Sequence, residues 1–284
     1  KTESKNYIFG FFSRPLLSLA RSFFIQSLFK HFLTQGDTFI ISILASPYEQ
    51  GIFSLANHYG GLIARLLLQP IEEISRNYFG QLLSNTDGNS MHKIQSAQKS
   101  LLQLLRSYLI FTIIILSIGP KAVPVLLKIV AGSRWSESSA SEALANYCYY
   151  IPLLAINGIT EAFVSSVATE SELHIQTIWM VLFSVVLSGS AFVIVKLWDY
   201  GAQGLIMINA LNMVFRITWA TIFIQTYLKR YDVKLNLDHL LPHPMTIAAG
   251  IAVSATIAKF DTILDGSFLD IFKLGVLAGG LLVY

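Results

Sequence analysis

Four ionisable residues, Arg65, Glu72, Glu73 and Arg76, fall within the stretch "RLLLQPIEEISR" (65–76), inside a run otherwise apolar enough for a lipid bilayer. A charge at the bilayer centre costs about 2.5–3.5 kcal/mol or more, so a cluster at that depth turns towards water or protein rather than lipid. At the α-helical period His58, Gly61, Arg65, Gln69, Glu72 and Arg76 share one face. Leu62, Ile63, Leu66, Leu67, Ile71 and Ile74 lie away from it and suit lipid or packed neighbours. Glu72 and Arg76 stand at i,i+4 in the favourable order and can pair. Arg65 has no such partner on its own helix and needs an acid from elsewhere or a ligand.

Other segments repeat the pattern. Asn209, Asn212 and Arg216 occupy one face of an apolar stretch with no acid in reach on that helix. Asn157 and Glu161 stand at i,i+4, with Ser165 beyond, and Lys30, Thr34 and Asp37 surround the stretch "TQGD", with Arg21 further back. Four helices thus each offer a polar face at depth, as a bundle around a hydrated cavity requires. Arg65 and Arg216 matter most, because a guanidinium stays charged and its planar fork of donors fits phosphate. Two arginines free in such a cavity suit an anionic head group such as a lipid-linked diphosphate. The alternative is that each closes an inter-helix salt bridge, with Glu161, Glu73 or Asp37 as the acid.

These side chains are positioned by long apolar segments. The 284 residues are 54% hydrophobic and only 13% charged, against about 25% charged in a soluble domain. Mean hydropathy is +0.57. The composition predicts an all-α, polytopic membrane helix bundle. Eight hydrophobic segments are predicted, at 16–46, 50–83, 98–119, 142–168, 174–197, 202–228, 244–260 and 268–284. Gly36 predicts a break in the first and Pro70 a kink in the second. The connector 121–138 mixes basic and apolar residues and is expected to lie along the membrane interface. The stretch 228–244 is the best boundary, dividing residues 1–230 from a final pair of helices in 231–284. Lys and Arg in the connectors favour a cytoplasmic N-terminal end by a small margin. The start at Lys1 and the end inside the apolar "GVLAGGLLVY" suggest part of a longer protein.

Several classes of function are disfavoured. A net charge of +3 with no Lys/Arg block gives no nucleic-acid patch. One cysteine, Cys148, allows no intrachain disulfide. The six histidines show no metal-ligand spacing, and there is no phosphate-cradling glycine loop or hydrolytic triad. "SELH" (171–174) reads as a helix-start cap rather than a catalytic site. No enzyme chemistry, cofactor or metal is expected.

The motifs "LTQGD" (33–37), "QGIFSLANHYGGLIARLLLQPIEE" (50–73), "AINGITEAF" (155–163), "ATESEL" (168–173) and "INALNMVFRI" (208–217) resemble those of the eukaryotic Rft-type oligosaccharide-translocation proteins. These belong to the superfamily of multidrug, oligosaccharidyl-lipid and polysaccharide exporters. The resemblance implies two six-helix lobes and two extra helices, of which this chain would be the second lobe and most of the final pair, without the N-terminal lobe. It implies the endoplasmic reticulum membrane and movement of a dolichol-diphosphate-linked glycan, five mannoses on two N-acetylglucosamines, for N-glycosylation. Carried onto this sequence, the family's cavity residues are Arg65, Glu72, Glu73, Glu161 and Arg216, and Gln35 stands where relatives often have an acid, with Asp37 as its possible substitute. Two rivals stay open. One is an exporter of the same superfamily with another cargo, such as a small cation, which an acid-dominated cavity would suit better. The other is a glycolipid-binding or assembly factor that does not transport.

Overall fold

The computed structural model describes residues 45–84, 90–132, 138–194, 200–235 and 240–260, with 7–8, 12–13, 17, 24, 43, 135 and 276 beside them. The predicted break at Gly36, the charges around it and nearly all of the last predicted segment lie outside these residues.

Helix α1, Pro47–Ile63, begins where Ser46 and Glu49 form a reciprocal capping box and Pro47 occupies the first turn. Both features satisfy or remove amide groups that have no intrahelical acceptor. A π-helical turn, Ala64–Leu68, comes next, and α2, Gln69–Ser84, continues the run. The predicted kink at Pro70 thus takes the form of a wide turn. Pro70 has no amide to offer Leu66, and its ring crowds that carbonyl. The chain loosens just before it, so that the Gln69 amide reaches back to the Ala64 carbonyl. A π-turn holds one extra residue and rotates the downstream helix by about 100°. The single polar stripe predicted for 50–83 is therefore split, and Arg65 and Glu72 do not share a face.

Helix α3 spans Ser90–Ala131, 42 residues with Pro120 and Pro124 inside it. This corrects the expectation of a segment ending near 119 and an interfacial connector. The helix runs on because Val125 and Leu127 bury against the bundle, and packing outweighs the two missing bonds. At about 1.5 Å per residue it is far longer than the hydrocarbon core. It stops at Gly132, whose positive φ of 86° supplies the left-handed residue of a C-terminal cap, with its amide bonded to the Lys128 carbonyl at 3.1 Å.

Helix α4, Ser139–Val167, is the centre of the bundle. It packs against α1, α2, α3 and α6 and buries sixteen residues. Helix α5, Glu170–Phe192, starts from a capping box of Thr169 and Glu172, which bears out the reading of "SELH" as a helix start. Its Ile175, Ile178, Trp179, Leu182, Val185 and Val186 are exposed, as befits a lipid-facing surface. Helix α6, Gly201–Lys229, runs alongside α4, and α7, Pro244–Phe260, packs on α3. Among the described residues, three helical stretches are long and apolar enough to cross a membrane: Met91–Val130, Ser139–Val167 and Gly201–Lys229. The described residues also include one two-residue antiparallel ladder, β1 (Tyr7–Ile8) with β2 (Phe12–Ser13). The fold is an all-α membrane bundle, as the composition predicted.

The core that positions the polar residues is aromatic. Phe79 of α2 meets Phe163 of α4 edge to face at 5.1 Å, and Phe163 meets Tyr227 of α6 at 6.0 Å. Phe79 and Phe163 are fully buried. They fix α2, α4 and α6 against one another next to the turn of α4 that carries Glu161.

Candidate functional site: an ion-pair seam on the central helix

On α4, Asn157 and Glu161 project one turn apart, and Asn157 is buried. The Asn157 Nδ2 donates to Glu161 Oε2 at 3.2 Å. Arg216 of α6 donates from Nη2 to the same oxygen at 2.6 Å. The fork is used on one prong only: Arg216 Nε is buried and has no hydrogen-bond partner among the described residues. The pair is not sealed, since the side chains of Arg216 and Glu161 keep 25% and 32% of their surface accessible.

A second carboxylate stands beside the first. Glu72 of α2 accepts from Arg76 Nη2 through Oε1 at 2.8 Å, as the i,i+4 spacing predicted. Its other oxygen leans over Gly158 of α4: a Cβ at that glycine would lie 2.9 Å from Glu72 Oε2. Gly158 is thus the notch that lets α2 bring a carboxylate onto the same part of α4 that carries Asn157 and Glu161. Glu72 lies within electrostatic reach of Arg76, Glu161, Arg216 and Glu73. Tyr108 of α3 is in turn within reach of Glu72, and its buried hydroxyl has no hydrogen-bond partner among the described residues. Two acids and two arginines therefore form a charge-balanced seam between α2, α4 and α6, with Tyr108 from α3 beside it. Such groups are costly to take out of water and need one another or a ligand.

The structure distributes the other predicted residues more widely. Arg65 is exposed, and its guanidinium folds back along the helix, with Nη2 3.4 Å from where a Gly61 Cβ would be. Among the described residues it has no ion-pair partner. Glu73 is exposed, while Asn209 and Asn212 are partly buried on α6, on the N-terminal side of Arg216. Asp37 and Gln35 lie outside the described residues. For Arg216 the free-cation expectation is corrected: it closes on Glu161, one of the acids the sequence named. Tyr108 and Gly158 were missed by sequence reasoning. The motif "NGITE" contains Gly158, but only the fold shows which side chain it admits.

Depth can be compared along the helices. Counting about 1.5 Å per residue from the starts of α1, α4 and α6, Arg65, Glu161 and Arg216 lie at about 27, 33 and 22 Å. Those three helix starts gather at one end of the bundle, where Ser46, Tyr48, Glu49, Ser139, Tyr200 and Gln203 line a cavity of about 410 Å³. The seam lies several helical turns from that cavity and is separate from it. Near the other ends of α4 and α6 a surface clamp joins α5 to α6. The Thr169 amide and Arg230 Nη2 both donate to Glu172, at 2.9 and 2.7 Å. The Thr169 amide and then the Arg230 guanidinium hold the Glu172 carboxyl below its ordinary range.

Apolar membrane-length helices with an ion-pair seam between helices define a polytopic helical membrane protein with a partly accessible ionic site. The "Rft protein" family model matches residues 1–284. The chain belongs to the Rft protein family. It is 35% identical over 264 residues to the Man(5)GlcNAc(2)-PP-dolichol translocation protein RFT1 of Kluyveromyces lactis, covering 92% of this chain and 46% of that protein. It is 34% identical over 249 residues to the protein of that name from Yarrowia lipolytica, covering 85% of this chain and 37% of the relative. The protein of that name from Xenopus tropicalis is 32% identical over 251 residues, covering 86% and 46%. The chain thus spans less than half the length of these relatives. No solved structure matches it.

Proposed function

We propose that this chain is the second lobe, with most of a final helix pair, of a carrier that moves dolichol-diphosphate-linked Man5GlcNAc2 from the cytosolic to the lumenal leaflet of the endoplasmic reticulum membrane. The observation that carries the proposal is Arg65. A permanently charged guanidinium stands on the π-turn beside the exposed apolar Leu62, Leu66 and Leu67, itself exposed and without an ion-pair partner among the described residues. Lipid does not tolerate such a group, whereas a diphosphate satisfies its planar fork. The relatives' name, Man(5)GlcNAc(2)-PP-dolichol translocation protein, supports this choice of cargo.

Arg65 and Arg216 hold the diphosphate. Asn157, Asn209, Asn212 and the acids Glu72, Glu73 and Glu161 hydrate the walls, and the dolichol tail remains in lipid. The π-turn at Ala64–Leu68 is a flexing point, because its shifted bond pattern can be regularised or restored as the two lobes rock about the site. No side chain here forms a covalent bond with the cargo. The test is translocation of labelled glycolipid by purified full-length protein in vesicles with no other component. Transfer across the bilayer above that of empty vesicles is expected. Binding without transfer would replace the carrier by a glycolipid-binding factor.

A further inference from the structure

The Arg216–Glu161 pair has an unusual feature for an interior ion pair. The donors on the side-on edge of a guanidinium are Nε and Nη2, and together they match two oxygens of a phosphate or carboxylate. Glu161 takes Nη2 alone, leaving Nε buried and without a partner. The same Glu161 oxygen is shared with Asn157. Both partners keep some accessible surface, so an incoming group can reach them. An ion pair built to be permanent would use both prongs.

We propose that Glu161 is a resident anion occupying the phosphate position on Arg216, and that the ligand replaces it there while Glu161 takes up one proton. This rests on the function proposed above and concerns how the same site is regulated. A tetrahedral phosphate oxygen pair engages Nε and Nη2 together, which satisfies the orphaned donor. Glu161 then loses its cation and stands beside Glu72, whose own partner is Arg76. Glu161 and Arg216 of α6 both lie within electrostatic reach of Glu72, which is also within reach of Glu73 and Arg76 on α2 and of Tyr108 on α3. Arg76 is engaged by Glu72, and the π-turn's Arg65 lies back over Gly61. A carboxylate that has lost its cation beside a second carboxylate is unfavourable, and a proton from the accessible side of the seam removes that charge by converting the Glu161 carboxylate to a carboxylic acid. The neutral acid remains a hydrogen-bond partner for Asn157.

The experiment measures binding to purified full-length protein. The probe is a short-chain prenyl diphosphate, with inorganic pyrophosphate and phosphatidic acid vesicles as separate arms. Proton uptake is read calorimetrically in two buffers of different ionisation enthalpy. Wild-type protein is expected to take up about one proton more than Glu161→Gln, which removes the probe's own titration from the comparison. Glu161→Gln is expected to bind about tenfold tighter than wild type at pH 7.5, because no resident anion has to leave the guanidinium. Asn157→Ala keeps every charge and loosens Glu161. It is expected to tighten binding by a smaller factor with proton uptake intact, so the inference remains testable if Glu161→Gln folds poorly. Unchanged or weaker binding by both variants, or equal proton uptake in wild type and Glu161→Gln, overturns the resident-anion role while leaving the cargo proposal standing. Failure of wild-type protein to bind the prenyl diphosphate overturns both. Tight prenyl diphosphate binding with weak pyrophosphate and phosphatidic acid binding assigns the site to a lipid diphosphate. Equal binding of pyrophosphate overturns the lipid assignment.

Discussion

Gly60 and Gly158 sit on packed helices and differ in what an added methyl group would strike, which makes them a discriminating pair of substitutions. At Gly60 an added Cβ would run into the ring of Tyr147. That ring is buried and is held by a hydrogen bond from its hydroxyl to Asn57 Oδ1 at 3.1 Å, so it cannot swing away. Overpacking of this kind costs about 1–3 kcal/mol. The gain in helix propensity, about 1 kcal/mol for Gly to Ala, offsets only part of it. At Gly158 the added Cβ would meet Glu72 Oε2 at 2.9 Å, the free end of a flexible side chain that can step aside. The same propensity gain then leaves Gly158→Ala within about 1 kcal/mol of wild type, or roughly 2–4 °C in melting temperature. Its cost falls on the seam, because the displaced Glu72 carboxylate no longer lies between Arg76 and the turn that carries Glu161. Full-length Gly60→Ala is expected to melt several degrees low, and Gly158→Ala to melt near wild type while losing several-fold in glycolipid transfer in vesicles. A Gly158→Ala protein with normal melting and normal transfer would refute the idea that this notch sets the geometry of the seam.

The same geometry sets other expected outcomes. Arg216→Lys keeps the charge but not the fork, and is expected to weaken diphosphate binding about tenfold or more; equal affinity would show that a point charge suffices. Tyr108→Phe removes a buried hydroxyl with no partner, so the melting temperature is expected to hold or rise by a few degrees, and a clear drop would mean the hydroxyl has a partner. Glu172→Gln removes both the capping carboxylate and the link to Arg230, at a cost of about 1 kcal/mol. Because the folded-state pKa of Glu172 is depressed, its contribution is complete above the ordinary carboxyl value and fades as the pH falls through the folded value. The gap in melting temperature between wild type and Glu172→Gln should therefore narrow as the pH falls below the ordinary carboxyl value, and a constant gap would contradict the clamp.

How far the sequence carried the structure depended on where the information lay. Apolar length marked the helices, since a bilayer-length run has few alternatives, and local chemistry marked the helix start at "SELH", whose Glu172 completes the Thr169 capping box. Periodicity failed where the helix itself departs from its period. Pro70 announced a disturbance, but whether the chain would kink or widen into a π-turn depends on backbone packing that no local pattern encodes. The mixture of basic and apolar residues after 119 suggested an interfacial connector, which the continued helix with buried Val125 and Leu127 overrides. In the seam, Glu72 with Arg76 was legible as a pair on one helix. Glu161 with Arg216 was legible only as one option among three, because 55 residues separate them and the choice is made by which faces α4 and α6 turn to each other. Tyr108 and Gly158 carry their roles through residues on other helices and leave no local trace.

The most direct test of the central claim is glycolipid binding by full-length protein in which Arg65 and Arg216 are both changed to Gln. A folded, monodisperse double variant that has lost dolichol-diphosphate glycan binding by at least about a hundredfold is predicted, roughly tenfold for each guanidinium–phosphate contact removed. A well-folded double variant that binds the glycolipid as wild type does would contradict the claim that these guanidinium groups hold the diphosphate.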